Sequence, residues 1–385
     1  MNLIRDDINA MEDSPILEVW RMGFSVPDVI GLWAGEPDIP TPPFICDEAI
    51  AALRAGHTFY THNRGIPELR DALRRYLKRL YGKDIGDDRL AVTTAGMNAV
   101  QILCQAMLGA GSKAVAITPS WPNIMRAMTI SGAQVTEVPL RRSNAGWSLD
   151  LDAVVEACRP GTKMLYLATP ANPTGWAISP GEAEALLALT RERGIALVSD
   201  EVYHRIVYDR PVAFSFLQLA RPDDAVFVVN SFSKSWAMTG WRMGWLVYPA
   251  GFQETAEKLI QFNTSGGQAF LQHGAVAALE HGESFVAEFV ARCRAGRDIV
   301  SHRLAKMARV REVASNGSIY SMFEVDGVTD TLDFCKGVVT GARVGLAPGS
   351  AFGKGAESLI RLCYAKSADN LETAMDRLDR YLRVN

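Results

Sequence analysis

The sequence predicts an α/β protein with a large domain on a mostly parallel sheet flanked by helices and a smaller α+β domain beside it. Three observations carry that expectation. The chain has 385 residues, more than one hydrophobic core usually fills, so two domains are expected. Its middle alternates β-branched runs with helical stretches, the pattern of βαβ units. Beyond residue 280 the pattern changes to one long helical stretch followed by short strands and a terminal helix.

Taken in order, WAGEPDIPTPP (33–43) is a Pro-rich hand-over between units. It sets the expected division: 1–45 as an N-terminal segment packing with the small domain, 46–280 as the large domain, and 281–385 as the small one. In TTAGMNAVQILCQAML (93–108) a small-residue turn opens a helix with apolar spacing. Strands are expected at KMLYLATP (163–170), GIALVSDEVY (194–203) and DAVFVVNSF (224–232). Between the first two, SPGEAEALLALTRERG (179–194) offers Ser179 as N-cap, Pro180 at the first helical position and Gly194 as a stop. WRMGWLVYP (241–249) follows too closely for a crossover helix, so an antiparallel neighbour is expected there. The tail predicts a helix over about 280–308, strands near 318–326 and 358–364, and a helix near 367–382.

A formal charge of −3 with interspersed signs leaves no basic footprint for nucleic acid and no polybasic patch for a membrane. The N-terminus, MNLIRDDINAMEDSP, carries acids where a signal peptide needs a basic start and an apolar run. No uncharged apolar stretch reaches transmembrane length. The six cysteines are scattered without a CxxC pair, which reads as reduced thiols in a cytoplasm and gives no metal motif. A cytoplasmic enzyme is the expected class.

Open parallel sheets bind ligands at the carboxyl ends of their strands. Asn172 follows the first strand, Asp200 ends the second, and Lys234 lies just past the third. Turn-marking Asn-Pro and Asp-Glu would account for the first two equally well. The backbone N–H groups of Gly96 and Met97 could receive an anion at their helix start, with Ser231 and Arg242 adding a hydroxyl and a guanidinium. PGSAFGKG (348–355) lacks the spacing and final Ser or Thr of a P-loop and is rejected as one. In SFSKSWAMTGWRMGW (231–245), Lys234 and Arg242 stand in a greasy run. Burying them unpaired would cost several kcal/mol, roughly, so each needs a partner or an exposed edge.

The order Asn-Pro-x-Gly (172–175), Asp-x-x-Tyr (200–203), Ser-x-x-Lys (231–234), then Arg242, resembles the class I aminotransferases of pyridoxal-phosphate fold type I. GEPD (35–38), YTHNRGIPELR (60–70), PSW (119–121), PGSAFG (348–353) and IRLCYA (360–365) extend the resemblance over nearly the whole chain. It implies a seven-stranded sheet in the large domain and pyridoxal 5′-phosphate as cofactor. By the same match Lys234 forms the internal aldimine and shuttles a proton, and Asp200 pairs with the pyridinium nitrogen. Tyr203 and Asn172 bond the phenolic oxygen, and Trp121 stacks on the ring. Gly96, Met97, Ser231 and Arg242 cradle the phosphate, and Tyr60 reaches the phosphate of a neighbouring subunit, which implies a homodimer with shared sites.

Arg361 is implied to grip the substrate carboxylate, with Asn172 and Gly35 beside it and Trp121 in contact with substrate. The implied reaction moves an amino group between an L-amino acid and a 2-oxo acid by a ping-pong mechanism. Subgroup members that take aspartate or prephenate often carry a lysine where Met97 stands. Met97, with Tyr320, Phe352 and the nearby tryptophans, therefore leans the expected substrate toward a neutral aromatic or aliphatic amino acid. Cysteine–sulfur β-lyases and related synthases share Lys234, Asp200 and Arg361, so they stay open as alternatives. A DNA-binding regulator with an aminotransferase-like domain is a remote one, because GEPD begins at residue 35.

Overall fold

A computed structural model describes residues 3–143 and 145–384. Seven strands form the central sheet: β1 (Leu90–Thr93), β2 (Lys113–Thr118), β3 (Gln134–Pro139), β4 (Thr162–Ala168), β5 (Ala196–Asp200), β6 (Val226–Ser231) and β7 (Gly244–Val247). Their spatial order is β1-β7-β6-β5-β4-β2-β3. Only β7 runs against its neighbours, pairing antiparallel with both β1 and β6. Its place follows from the chain: twelve residues separate Ser231 from Gly244, and they hold only two short helical turns.

The parallel strands are apolar on both faces because both are covered. Along β4, Leu165 and Leu167 enter one core, while Met164 and Tyr166 enter the core on the opposite face. The helix Pro180–Arg193 between β4 and β5 starts on a capping box of Ser179 and Glu182 and stops at Gly194, which is left-handed at φ 63°.

The second sheet is antiparallel: β8 (Val310–Val313), β9 (Tyr320–Val325), β10 (Ala347–Pro348) and β11 (Leu359–Cys363), ordered β8-β9-β11-β10. Its core gathers residues from Phe289 to Leu382 with Val19, Leu32 and Trp33 of the N-terminal segment, whereas Ile45 joins the core of the large sheet. Residues 30–31 also pair in parallel with 344–345.

The helix expected over 280–308 spans Glu283–Leu304, and a separate helix that was not expected, Ala269–His281, precedes it. The two meet at Gly282, where a Cβ would come within 2.6 Å of the Trp236 indole nitrogen and 2.3 Å of the Ala278 carbonyl. The expected strand at 194–203 stops at Asp200, and the residues after it turn into the site. Among the described residues no helix is long and apolar enough to cross a membrane.

Candidate active site

Strand register sets the site. Ala168, Asp200 and Val229 lie in one row across β4, β5 and β6. Ser231, Gly244 and Thr93 form another across β6, β7 and β1. The carboxyl ends of the parallel strands thus open into a cavity of about 310 Å³. Gly35, Gly96, Met97, Trp121, Asn172, Asp200, Tyr203, Ser231, Lys234, Arg242 and Arg361 all line it. Of the residues expected to hold the cofactor and the substrate carboxylate, only Tyr60 lies elsewhere, 93% exposed.

Asp200 is 8% exposed. Its carboxylate accepts the Tyr166 hydroxyl at 3.0 Å and the Val202 N–H at 3.2 Å. Burial pushes its pKa up to about 6, against the opposing pull of those donors and of Lys234. Tyr166 and Val198 are partners across the β4–β5 pair, so Tyr166 is a diagonal neighbour of Asp200 on the same face. The half-buried Lys234 donates to the Gly35 carbonyl at 2.6 Å. Burial pulls its amine down to about 8.

Arg361, 3% exposed, comes from β11 of the second sheet. Its guanidinium lies 4.4 Å from the Tyr320 ring centroid and 4.9 Å from that of Phe352. Nη1 donates to Asn172 Oδ1 at 3.0 Å, Nη2 donates to the Trp33 carbonyl, and Nε is buried without a partner. Among the described residues, Asp200, Lys234, Arg242 and Arg361 form no ion pair.

The anion side is built from turns. The helix Gly96–Met107 has no side-chain cap, so its first N–H groups have no partner within the helix. Ala95 before it holds φ 86° and ψ 157°, a conformation that is almost exclusively glycine's. Gly244 lets β7 approach this turn, since a Cβ there would come within 2.7 Å of the Gly96 nitrogen. Ser231 Oγ accepts the Ser233 N–H at 3.1 Å and lies 2.8 Å from Ser233 Oγ. Arg242, left-handed at φ 51°, donates to the Thr239 carbonyl at 2.6 Å.

Chemically, the cavity offers a buried acid without a cation, free N–H groups, hydroxyls and a guanidinium for an anion, a half-buried amine of lowered pKa, and a second unpaired guanidinium. A phosphorylated, basic heteroaromatic aldehyde fits that donor set. Among the described residues no cluster of His, Cys, Asp and Glu could hold a metal ion.

Ile16, Trp33, Val100, Ile124, Tyr166 and Ser233 line the cavity without having been read from sequence. Ser233 had a signal in the Ser-Phe-Ser before Lys234, and Tyr166 had one in a phenol set within a buried strand. Two expectations are corrected. Phe352 is fully buried behind Arg361 and does not line the cavity. Trp236 and Trp245 pack with Tyr76, His204 and Phe232 in the core, and Trp241 donates to Thr41 Oγ1. None of the three lines the cavity, because their rings are taken up by these packing partners.

A model of the family described as aminotransferase class I and II matches residues 27–378. An aspartate aminotransferase of Thermotoga maritima is 33% identical over 355 residues, spanning 92% of each chain. Aromatic-amino-acid aminotransferase 2 of Thermococcus litoralis is 30% identical over 384 residues, spanning 99% of this chain and 98% of the relative. The solved aspartate aminotransferase from Thermus thermophilus with maleate is 30% identical at a TM-score of 0.92, covering 99% of this chain and all of that one.

Proposed function

The chain belongs to the class I and II aminotransferases, and we propose that it moves an amino group between a neutral aromatic or aliphatic L-amino acid and a 2-oxo acid by ping-pong turnover, with pyridoxal 5′-phosphate held in the 310 Å³ cavity. The observation that carries this is the set of four unpaired charged groups, Asp200, Lys234, Arg242 and Arg361, lining one cavity in the family's order.

When bound, the cofactor supplies an electron sink and a reversible carrier for the amino group. Asp200 would keep its ring nitrogen protonated, and that cation would in turn hold Asp200 ionised. Tyr203 and Asn172 would bond its phenolic oxygen, with Trp121 on the ring face. Gly96 and Met97 through their N–H groups, with Ser231, Ser233 and Arg242, would hold its phosphate. Arg361 would fork onto the substrate carboxylate, already oriented by Asn172 and the two flanking rings. The Lys234 amine, with its pKa lowered toward neutrality by burial, would take the proton from the substrate α-carbon and return it.

Ile16, Met97, Val100, Trp121 and Ile124 line the cavity and support a neutral side chain. The Thermotoga relative is named for aspartate and the Thermococcus relative for aromatic amino acids, so donor choice is the point to test. A panel of single amino acids, followed by the absorbance of one half-turnover, should favour aromatic or aliphatic donors. Met97→Lys should raise kcat/KM for aspartate by roughly two- to fivefold, the value of one exposed charge pair. Aspartate as the best wild-type donor would overturn the neutral assignment, and continuous release of ammonia would turn the reading to a lyase.

A further inference from the structure

Tyr320, at the start of β9 in the second sheet, and Tyr203, in the turn after β5, meet hydroxyl to hydroxyl. Their oxygens are 2.6 Å apart, at the short end for an O–H···O bond. The two residues are 1% and 2% exposed, so water does not compete for either phenol. The register of β9 on β11 pairs Tyr320 with Cys363 and Met322 with Arg361. Tyr320 and Arg361 are therefore diagonal neighbours on one face, within reach of long side chains. That places the ring under the guanidinium at 4.4 Å.

The approach depends on Gly35, since a Cβ there would sit on the Tyr320 hydroxyl. The carbonyl of the same glycine accepts the Lys234 amine. Both faces of Tyr320 are thus committed, the hydroxyl to Tyr203 and the ring to Arg361. The expectation that it shapes a substrate side-chain pocket gives way to a different role.

We propose that Tyr320 is a positioning residue that donates its hydroxyl hydrogen bond to Tyr203, sharpening the hydrogen bond Tyr203 makes to the cofactor, and shelves Arg361 on its ring. This rests on the cofactor reading above. A bond donated into the Tyr203 oxygen polarises its O–H, because linked hydrogen bonds strengthen one another. Tyr203 then stabilises negative charge on the cofactor's phenolic oxygen more strongly. Without Tyr320's hydroxyl, that oxygen holds a neighbouring proton more tightly, and the pH at which the bound cofactor changes colour moves up.

The test is a spectroscopic pH titration of the holoenzyme, with melting curves to confirm folding. Tyr320→Phe should raise the colour midpoint by about half a pH unit or more, with KM for amino acids nearly unchanged because the ring remains. Tyr203→Phe should raise it further, and the double variant should match Tyr203→Phe alone. Tyr320→Leu should add a rise of about tenfold in KM for amino and oxo acids alike, since the cation–π shelf is lost. Gly35→Ala, which displaces the hydroxyl while keeping the tyrosine, should reproduce the midpoint shift. A Tyr320→Phe midpoint equal to wild type, or additive shifts in the double variant, would overturn the proposal and leave the aminotransferase reading intact. Wild-type protein that binds no cofactor would overturn both.

Discussion

Asp200 shows at the residue scale how a site is prepared at the expense of stability. Burial raises its pKa to about 6, so the folded cofactor-free chain binds a proton that the unfolded chain releases near pH 4, roughly. Stability from this group is full below that pH, falls as the pH rises toward 6, and stays low above it. Two pKa units correspond to on the order of 3 kcal/mol for the ionised form. Asp200→Asn should therefore flatten the melting temperature of cofactor-free protein between pH 4 and 6 and raise it at pH 8, while abolishing turnover. An unchanged melting temperature at pH 8 would contradict the buried, unpaired state of this carboxylate. Asp200, Asn172 and Lys234 were legible in sequence because each ends or follows a β-branched run, where strand ends converge. The work of Tyr166 and Tyr320 was not. Each acts through a partner distant in sequence or on another element, and no local spacing reports such a contact.

The turn from β1 into the helix Gly96–Met107 carries the clearest element-scale prediction. Ala95 sits in a region that costs a non-glycine residue about 1–3 kcal/mol. Ala95→Gly releases that strain but adds about 0.5–1 kcal/mol of unfolded-state entropy. The net expectation is a gain of about 1 kcal/mol, read by denaturant unfolding of cofactor-free protein. A loss of stability would mean that the alanine methyl group, 4% exposed, contributes more by packing than its backbone costs. Elements with local punctuation were readable: Ser179, Pro180 and Gly194 bound their helix as the sequence indicates. The helix Ala269–His281 was not read, and the close approach of Trp236 to Gly282 at its end is a contact distant in sequence that no local spacing reports. The antiparallel placement of β7 followed from the short connection alone.

At the scale of the whole molecule, the two sheets divide the chemistry. The large sheet supplies Asp200 and, in the connection between β6 and β7, Lys234 and Arg242, and the small one supplies Arg361 and Tyr320. On the proposed reading, substrate carboxylate binding would be tied to how the second sheet sits on the large domain, because Arg361 reaches across to Asn172. Outside this assembly, Phe59, Tyr60 and Phe262 are 84%, 93% and 80% exposed, which supports the proposed homodimer with Tyr60 serving the partner's site. Sedimentation at micromolar concentration should find a dimer, and Tyr60→Ala should weaken cofactor binding by about tenfold, the scale of one lost hydrogen bond to a charged group. A wild-type monomer of full activity would contradict that arrangement. The central claim is that the Lys234 amine is the covalent anchor for pyridoxal 5′-phosphate. Borohydride reduction of the yellow holoenzyme, followed by peptide mass spectrometry, tests it most directly. The account predicts one phosphopyridoxyl group per chain, on Lys234, and none on Lys234→Ala; a colourless protein, or label on another lysine, would contradict it.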